Sequence, residues 1–172
     1  MVTIDLITGF LGSGKTTFLK KYAEYLMDQG LHIGILENDF GAINVDMLML
    51  HELRGDQCEL EMIAGGCDAE SHRRRFRTKL ISMRMCGYDR VLVEPSGIYD
   101  VDEFFDVLRE EPLDQWYEIG NVIAILDARL ENNLSQQADY LLASEAANAG
   151  KVILSHADAA TREQCEDCLL YT

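Results

Sequence analysis

Apolar residues recur along the chain in six short runs, at 3–7, 32–36, 59–63, 90–93, 121–126 and 151–154. Several are continuous rather than alternating, the pattern of parallel strands covered on both faces. Between them the spacing predicts helices over 15–28, 69–85, 101–110 and 134–148. In the first, Phe18, Leu19, Tyr22, Tyr25 and Leu26 fall three and four residues apart, a stripe able to lie on a sheet. Strand and helix in alternation require right-handed crossovers, and so a three-layer α/β fold with a mainly parallel central sheet. No internal repeat or low-complexity linker interrupts it, and a single domain over 1–172 is expected.

In open sheets of this kind ligands bind beyond the carboxyl ends of the strands. The polar groups here follow the predicted strand ends: Glu37-Asn38-Asp39, Gly65-Gly66-Cys67, Glu94-Pro95-Ser96-Gly97, Asp127, and Ser155-His156-Ala157-Asp158. All are expected on one rim.

The first of these strand ends runs into Gly9-Phe10-Leu11-Gly12-Ser13-Gly14-Lys15-Thr16-Thr17. That is the G-x-x-x-x-G-K-[ST] loop between a strand and a helix, and it implies a P-loop nucleoside-triphosphate-binding fold. Gly9, Gly12 and Gly14 let backbone N–H groups approach phosphate oxygens without an intervening Cβ. Lys15 offers a point charge to the β- and γ-phosphates, and the Thr16 hydroxyl is a Mg²⁺ ligand in such sites. The predicted fourth strand delivers Glu94 beside that loop, where Mg²⁺ or its water needs a carboxylate. Gly97 is placed to present its N–H to a γ-phosphate and to change conformation when that phosphate leaves. Glu37 and Asp39 are two more carboxylates, open to Mg²⁺, to a second metal, to the attacking water, or simply to a polar turn.

Composition narrows the partners. A formal charge of −15 disfavours nucleic acid and anionic lipid. No run approaches the roughly 18 apolar residues of a membrane span. Five scattered cysteines suit a reducing compartment better than a disulfide framework, so the expected location is cytoplasmic. Cys58 and Cys86 adjoin apolar runs and are expected in the core.

The loop at 9–17, Glu37-Asn38-Asp39-Phe40-Gly41, Gly66-Cys67, Glu94-x-Ser96-Gly97 and Leu126-Asp127-Ala128 fall in the order and spacing of CobW-like GTPases. The chain resembles this family, relatives of the accessory GTPases of urease and hydrogenase maturation, from about residue 2 to residue 160. The resemblance implies GTP hydrolysis with Mg²⁺, a bound transition metal for insertion into a client metalloprotein, and nucleotide-dependent dimerisation or partner docking. It also implies a smaller C-terminal domain, absent here; the chain is expected to end inside a helix.

Two motifs depart from the family pattern. Gly-Cys-x-Cys-Cys is replaced by Gly66-Cys67-Asp68-Ala69-Glu70-Ser71-His72, so a cargo site would use Cys67 with Asp68, Glu70 and His72. Fewer thiolates favour a harder divalent ion such as Zn²⁺ or Co²⁺ over Cu(I). The guanine-reading Asn-Lys-x-Asp becomes Ser155-His156-Ala157-Asp158, which keeps the carboxylate that accepts from guanine N1 and N2. Cys165 and Cys168 have C-x-x-C spacing but no second pair to complete a site. The basic island at 72–79 is a solvated helix face, a dock for an acidic partner, or the source of an arginine acting across a dimer. Beside the metallochaperone stand two other readings: a regulatory GTPase without cargo, and a P-loop small-molecule kinase.

Overall fold

The computed structural model describes residues 1–10, 12–39, 45–64, 68–95, 101–129 and 135–169. Six strands form one parallel sheet: β1 (Val2–Thr8), β2 (Ile33–Asp39), β3 (Cys58–Ala64), β4 (Arg90–Pro95), β5 (Tyr117–Asp127) and β6 (Lys151–Ser155). Their order across the sheet is β3-β2-β4-β1-β5-β6. The helices are α1 (Lys15–Asp28), α2 (Val45–Leu50), α3 (Ala69–Arg84), α4 (Val101–Leu108), α5 (Leu113–Trp116), α6 (Gln136–Asn148) and α7 (Arg162–Leu169).

The continuous apolar runs are the strands, because each must bury both faces. Val2, Ile4 and Leu6 of β1 join one apolar layer with Phe76 and Leu80 of α3 and Phe104 of α4. Ile7, on the opposite face, joins Ile33 and Ile35 of β2 and Leu19, Ala23 and Leu26 of α1. The buried face of α1 is therefore narrower than its sequence stripe: Phe18 and Tyr22 are half-buried and Tyr25 faces solvent. Among the described residues no helix is long and apolar enough to cross a membrane.

β5 starts at Tyr117 rather than at 121, and its first residues pair with β1 through Val2, Thr3 and Ile4. Ile119 is the one apolar residue of 118–121 and is 44% exposed, so a polar network rather than apolar burial holds this stretch. Asp5 is fully buried where the β1–β5 register shifts. Its Oδ2 accepts from Tyr22 Oη at 2.8 Å and Arg90 Nη1 at 2.9 Å, and its Oδ1 accepts from the Asn121 N–H at 2.7 Å. Asn121 Nδ2 donates to Tyr22 Oη at 2.9 Å. Gly120 is required beside it, since a Cβ there would overlap Asp5 Oδ1.

Cys58 is buried in β3, and burial pushes its thiol up to about 11. Cys86 is exposed, contrary to expectation, because it lies in the turn past the end of α3. The helix expected after residue 162 is α7.

Candidate functional site

Parallel strands bring their carboxyl ends to one rim, and the phosphate loop lies there. Gly9 has φ +142° and sits so close to the Ile125 carbonyl of β5 that a Cβ would overlap it. Gly12 (φ +79°) and Gly14 (φ +90°) also occupy the left-handed region that favours glycine. Gly14 caps α1 with no side chain, which leaves the first N–H groups of that helix for an anion. Ser13 is buried; its N–H donates to the Phe10 carbonyl at 3.1 Å, and its Oγ has no partner among the described residues. Lys15 Nζ, also buried, donates to the same carbonyl at 3.1 Å.

Thr16 Oγ1 donates to Glu94 Oε1 at 2.7 Å, and both side chains are buried. Glu37 of β2 is the register partner of Glu94 of β4 and is buried with it. Asp39 lies further along β2, paired in register with Ala64. A hydroxyl and carboxylates gathered at a phosphate loop form the hard-oxygen donor set that suits Mg²⁺. Gly97 lies outside the described residues.

A cavity of about 290 Å³ opens beside the loop, lined by Gly14, Thr17, Phe18 and Lys21 on one side and Ser155 and His156 on the other. Ser155 closes on the loop, its Cβ placed 3.8 Å from where a Gly14 Cβ would be, and its Oγ donates to the Leu126 carbonyl at 3.2 Å. His156 takes a left-handed φ of 53°, with Nδ1 3.2 Å from Asp127 Oδ2. Arg129, which sequence reasoning missed, grips Asp127 with Nε at 3.0 Å and Nη2 at 2.8 Å. Those bonds, with a smaller pull from His156, hold the Asp127 carboxyl down at about 2. Asp158, exposed two residues beyond His156, acts electrostatically on the same arginine. The Asp at the end of this apolar strand was visible in the sequence; its arginine partner was not, because i to i+2 pairing in a turn has no periodic signature.

Cys67, with Gly65 and Gly66, lies outside the described residues. Asp68 caps α3, accepting from the Ser71 N–H at 2.8 Å and from Ser71 Oγ at 3.0 Å, bonds that lower its carboxyl from the ordinary range. Glu70 is exposed and accepts from Arg74 at 3.2 Å. His72 is buried, with Nδ1 3.0 Å from Glu103 Oε1 of α4. The three are thus drawn to separate contacts, and among the described residues no three His, Cys, Asp or Glu side chains cluster as a metal site. The basic island is mostly engaged within the chain. Glu110 holds Arg73 at 2.6 Å and Arg77 at 3.0 Å, and Glu61 holds Lys79 at 2.8 Å. Phe76 within it is core.

The family model described as "CobW/HypB/UreG, nucleotide-binding domain" matches residues 3–170. The chain belongs to the CobW/HypB/UreG family. Its relatives include the zinc chaperone YjiA of Escherichia coli, 30% identical over 172 residues, an alignment covering 92% of this chain and 50% of YjiA. The zinc chaperone YeiR of the same organism is 28% identical over 164 residues, covering 95% and 49%. The chain spans about half the length of these two relatives. Among solved structures, Zn(II)-bound YjiA GTPase superposes with a TM-score of 0.61 at 21% identity, over 98% of this chain and 54% of that one. FtsY of Thermotoga maritima superposes with a TM-score of 0.64 at 17% identity, over 99% and 58%. These likenesses show the P-loop GTPase fold of this CobW/HypB/UreG domain.

Proposed function

We propose that this domain binds and hydrolyses GTP with Mg²⁺ and uses the nucleotide state to hold and hand over Zn²⁺ or Co²⁺ to a client metalloprotein. The observation that carries the nucleotide half is the buried Thr16–Glu94 pair at 2.7 Å beneath a glycine loop whose helix N-terminus has no side-chain cap. In this reading the loop N–H groups and Lys15 bind the phosphates, and Thr16 and Glu94 hold Mg²⁺, with Asp39 and Glu37 near it. Mg²⁺ when bound neutralises charge on the β- and γ-phosphates. Thr17, Ser13, Gly9, Gly12 and Gly14 shape the cradle, and Gly97 reads the γ-phosphate. Glu37 or Asp39 orients the attacking water. The cavity past Thr17 takes the base, and Asp158 reads its edge.

Asp158 accepts from guanine N1–H and N2–H; adenine lacks those donors and would leave the carboxylate unpaired. GTP is therefore expected to bind at least about tenfold more tightly than ATP, and Asp158→Asn to exchange GTP for xanthosine triphosphate. Competition binding with the three nucleotides checks this; parental selectivity in Asp158→Asn removes the base-reading role.

The cargo half is supported by kinship with proteins named as zinc chaperones and by the Gly66-Cys67 motif of the sequence. The Cys67 thiolate is the proposed ligand, joined by some of Asp68, Glu70 and His72. A carboxylate on one imidazole nitrogen, as Glu103 provides for His72, is common where the other nitrogen binds metal. The client metalloprotein, a nucleotide-dependent homodimer and a cytoplasmic setting complete the reading. The test is a Zn²⁺ and Co²⁺ titration with a non-hydrolysable GTP analogue and with GDP. Linkage requires metal affinity to differ between the two. Cys67→Ala is expected to lose stoichiometric metal while keeping nucleotide. Parental metal affinity in that variant would mean that the cargo site is elsewhere or does not exist, and the GTPase switch without cargo would take the lead; absence of phosphate release without an added acceptor would favour a kinase.

A further inference from the structure

Glu145 of α6 is a buried carboxylate that the phosphate and Mg²⁺ chemistry does not use. It is 1% exposed on a helix with no other fully buried charge. Its Oε1 accepts a 2.8 Å hydrogen bond from Thr8 Oγ1 at the end of β1. Its Oε2 is buried and has no hydrogen-bond partner among the described residues. Thr8 runs directly into Gly9, whose backbone is pressed against the Ile125 carbonyl. The carboxyl therefore sits behind the first turn of the phosphate loop.

Burial pushes this carboxyl up to about 7, against the opposing influence of the Thr8 hydroxyl, the Lys15 ammonium and the Gly9 N–H. Among the described residues, Lys15 is the charged group that acts on it. Other charges on the elements packed around α6 face elsewhere. On α4, Glu103 meets His72, Asp106 meets Arg109, and Asp102 is exposed. On β5, Asp127 meets Arg129 and His156, and Glu118 accepts from Thr3 Oγ1 at 3.0 Å.

A neutral side chain of the same shape would tie Thr8 to α6 equally well. What a carboxylate adds is a negative charge pulling on the same Lys15 that the phosphates need. We propose that Glu145 is a positioning residue that makes nucleotide binding proton-linked: ionised, it draws on Lys15 and opposes the incoming phosphates, and neutral, it only anchors the loop. The inference rests on the nucleotide-site reading above. Phosphates arriving behind Lys15 raise the proton affinity of the carboxyl, so binding takes up a proton from solvent. By reciprocity, protonation strengthens binding, and affinity falls as the pH rises through neutrality.

The experiment is calorimetric titration of the chain with Mg²⁺-GDP, which avoids hydrolysis, from about pH 6 to about pH 8.5, a span that brackets the carboxyl. Parallel runs use buffers of different ionisation heat. The parent is expected to lose about tenfold more affinity across that range than Glu145→Gln or Glu145→Met, roughly the worth of one unit charge about 12 Å away at an effective dielectric near 20. The nucleotide's own phosphates titrate equally in all three proteins. The parent is also expected to take up protons near neutrality, and both variants to take up fewer. An identical pH slope in parent and variants overturns the proposal. So does proton uptake by the parent near neutrality no greater than that of either folded variant. Failure of the parent to bind Mg²⁺-GDP at any pH instead removes the nucleotide-site reading, and the inference with it.

Discussion

Lys15→Ala is expected to lower guanine-nucleotide affinity by about a hundredfold or more. Nζ is buried at the loop and donates to the Phe10 carbonyl at 3.1 Å, so it is already held where the phosphates arrive. A charge pair about 4 Å apart is worth roughly 4 kcal/mol at an effective dielectric near 20, more than a hundredfold in binding. The ammonium also offsets Glu145, and its removal leaves that carboxylate facing the phosphates uncompensated. Equilibrium titration with a fluorescent GDP or GTP analogue checks it, with circular dichroism to show that the fold is kept. Parental affinity in Lys15→Ala would end the phosphate-loop assignment.

The largest stability effect is expected at Asp5, away from the chemistry. Asp5→Ala removes the acceptor of Tyr22, Arg90 and the Asn121 N–H together. Breaking one side of a buried ion pair costs about 3–5 kcal/mol. Arg90 keeps a side-chain exposure of 22% and regains some hydration, so the expected cost is the lower figure, about 3 kcal/mol. For a chain of this length that is a fall in Tm of about 6–12 °C. Asp5→Asn keeps one acceptor for the Asn121 N–H and is expected to cost less. A shift below about 2 °C in Asp5→Ala would mean that apolar packing alone positions the start of β5.

The two cases differ in how they could be read beforehand. The loop at 9–17 is contiguous, and its chemistry demands particular residue types at fixed spacing, so Lys15 and Thr16 were legible from the chain alone. Glu94 was legible once its strand was placed beside the loop, and the sheet brings it to Thr16 at 2.7 Å. Asp5 gave no such signal. It lies inside an apolar run, where a lone acid reads as an interruption, and its partners Tyr22, Arg90 and Asn121 come from three other elements. Glu145 was invisible for the same reason: on a helix of mixed apolar and polar residues nothing local distinguishes a buried acid from a solvated one.

His72 is the opposite lesson. Spacing set it five residues after Cys67, among candidate ligands, yet α3 turns it inward to Glu103 while Glu70, two residues before it, points to solvent. A helix advances about 100° per residue, so neighbours in sequence diverge on its surface, and distance along the chain does not measure distance in space. The sequence by itself determined the parallel α/β architecture, the phosphate loop and the rim on which the strand-end acids gather, because these follow from hydrophobic period and contiguous motif. The tertiary structure decided which charges meet. Asp5 with Arg90, Thr8 with Glu145, His72 with Glu103 and Asp127 with His156 join residues between 29 and 137 positions apart, and such pairs exist only once crossovers have brought separate elements together.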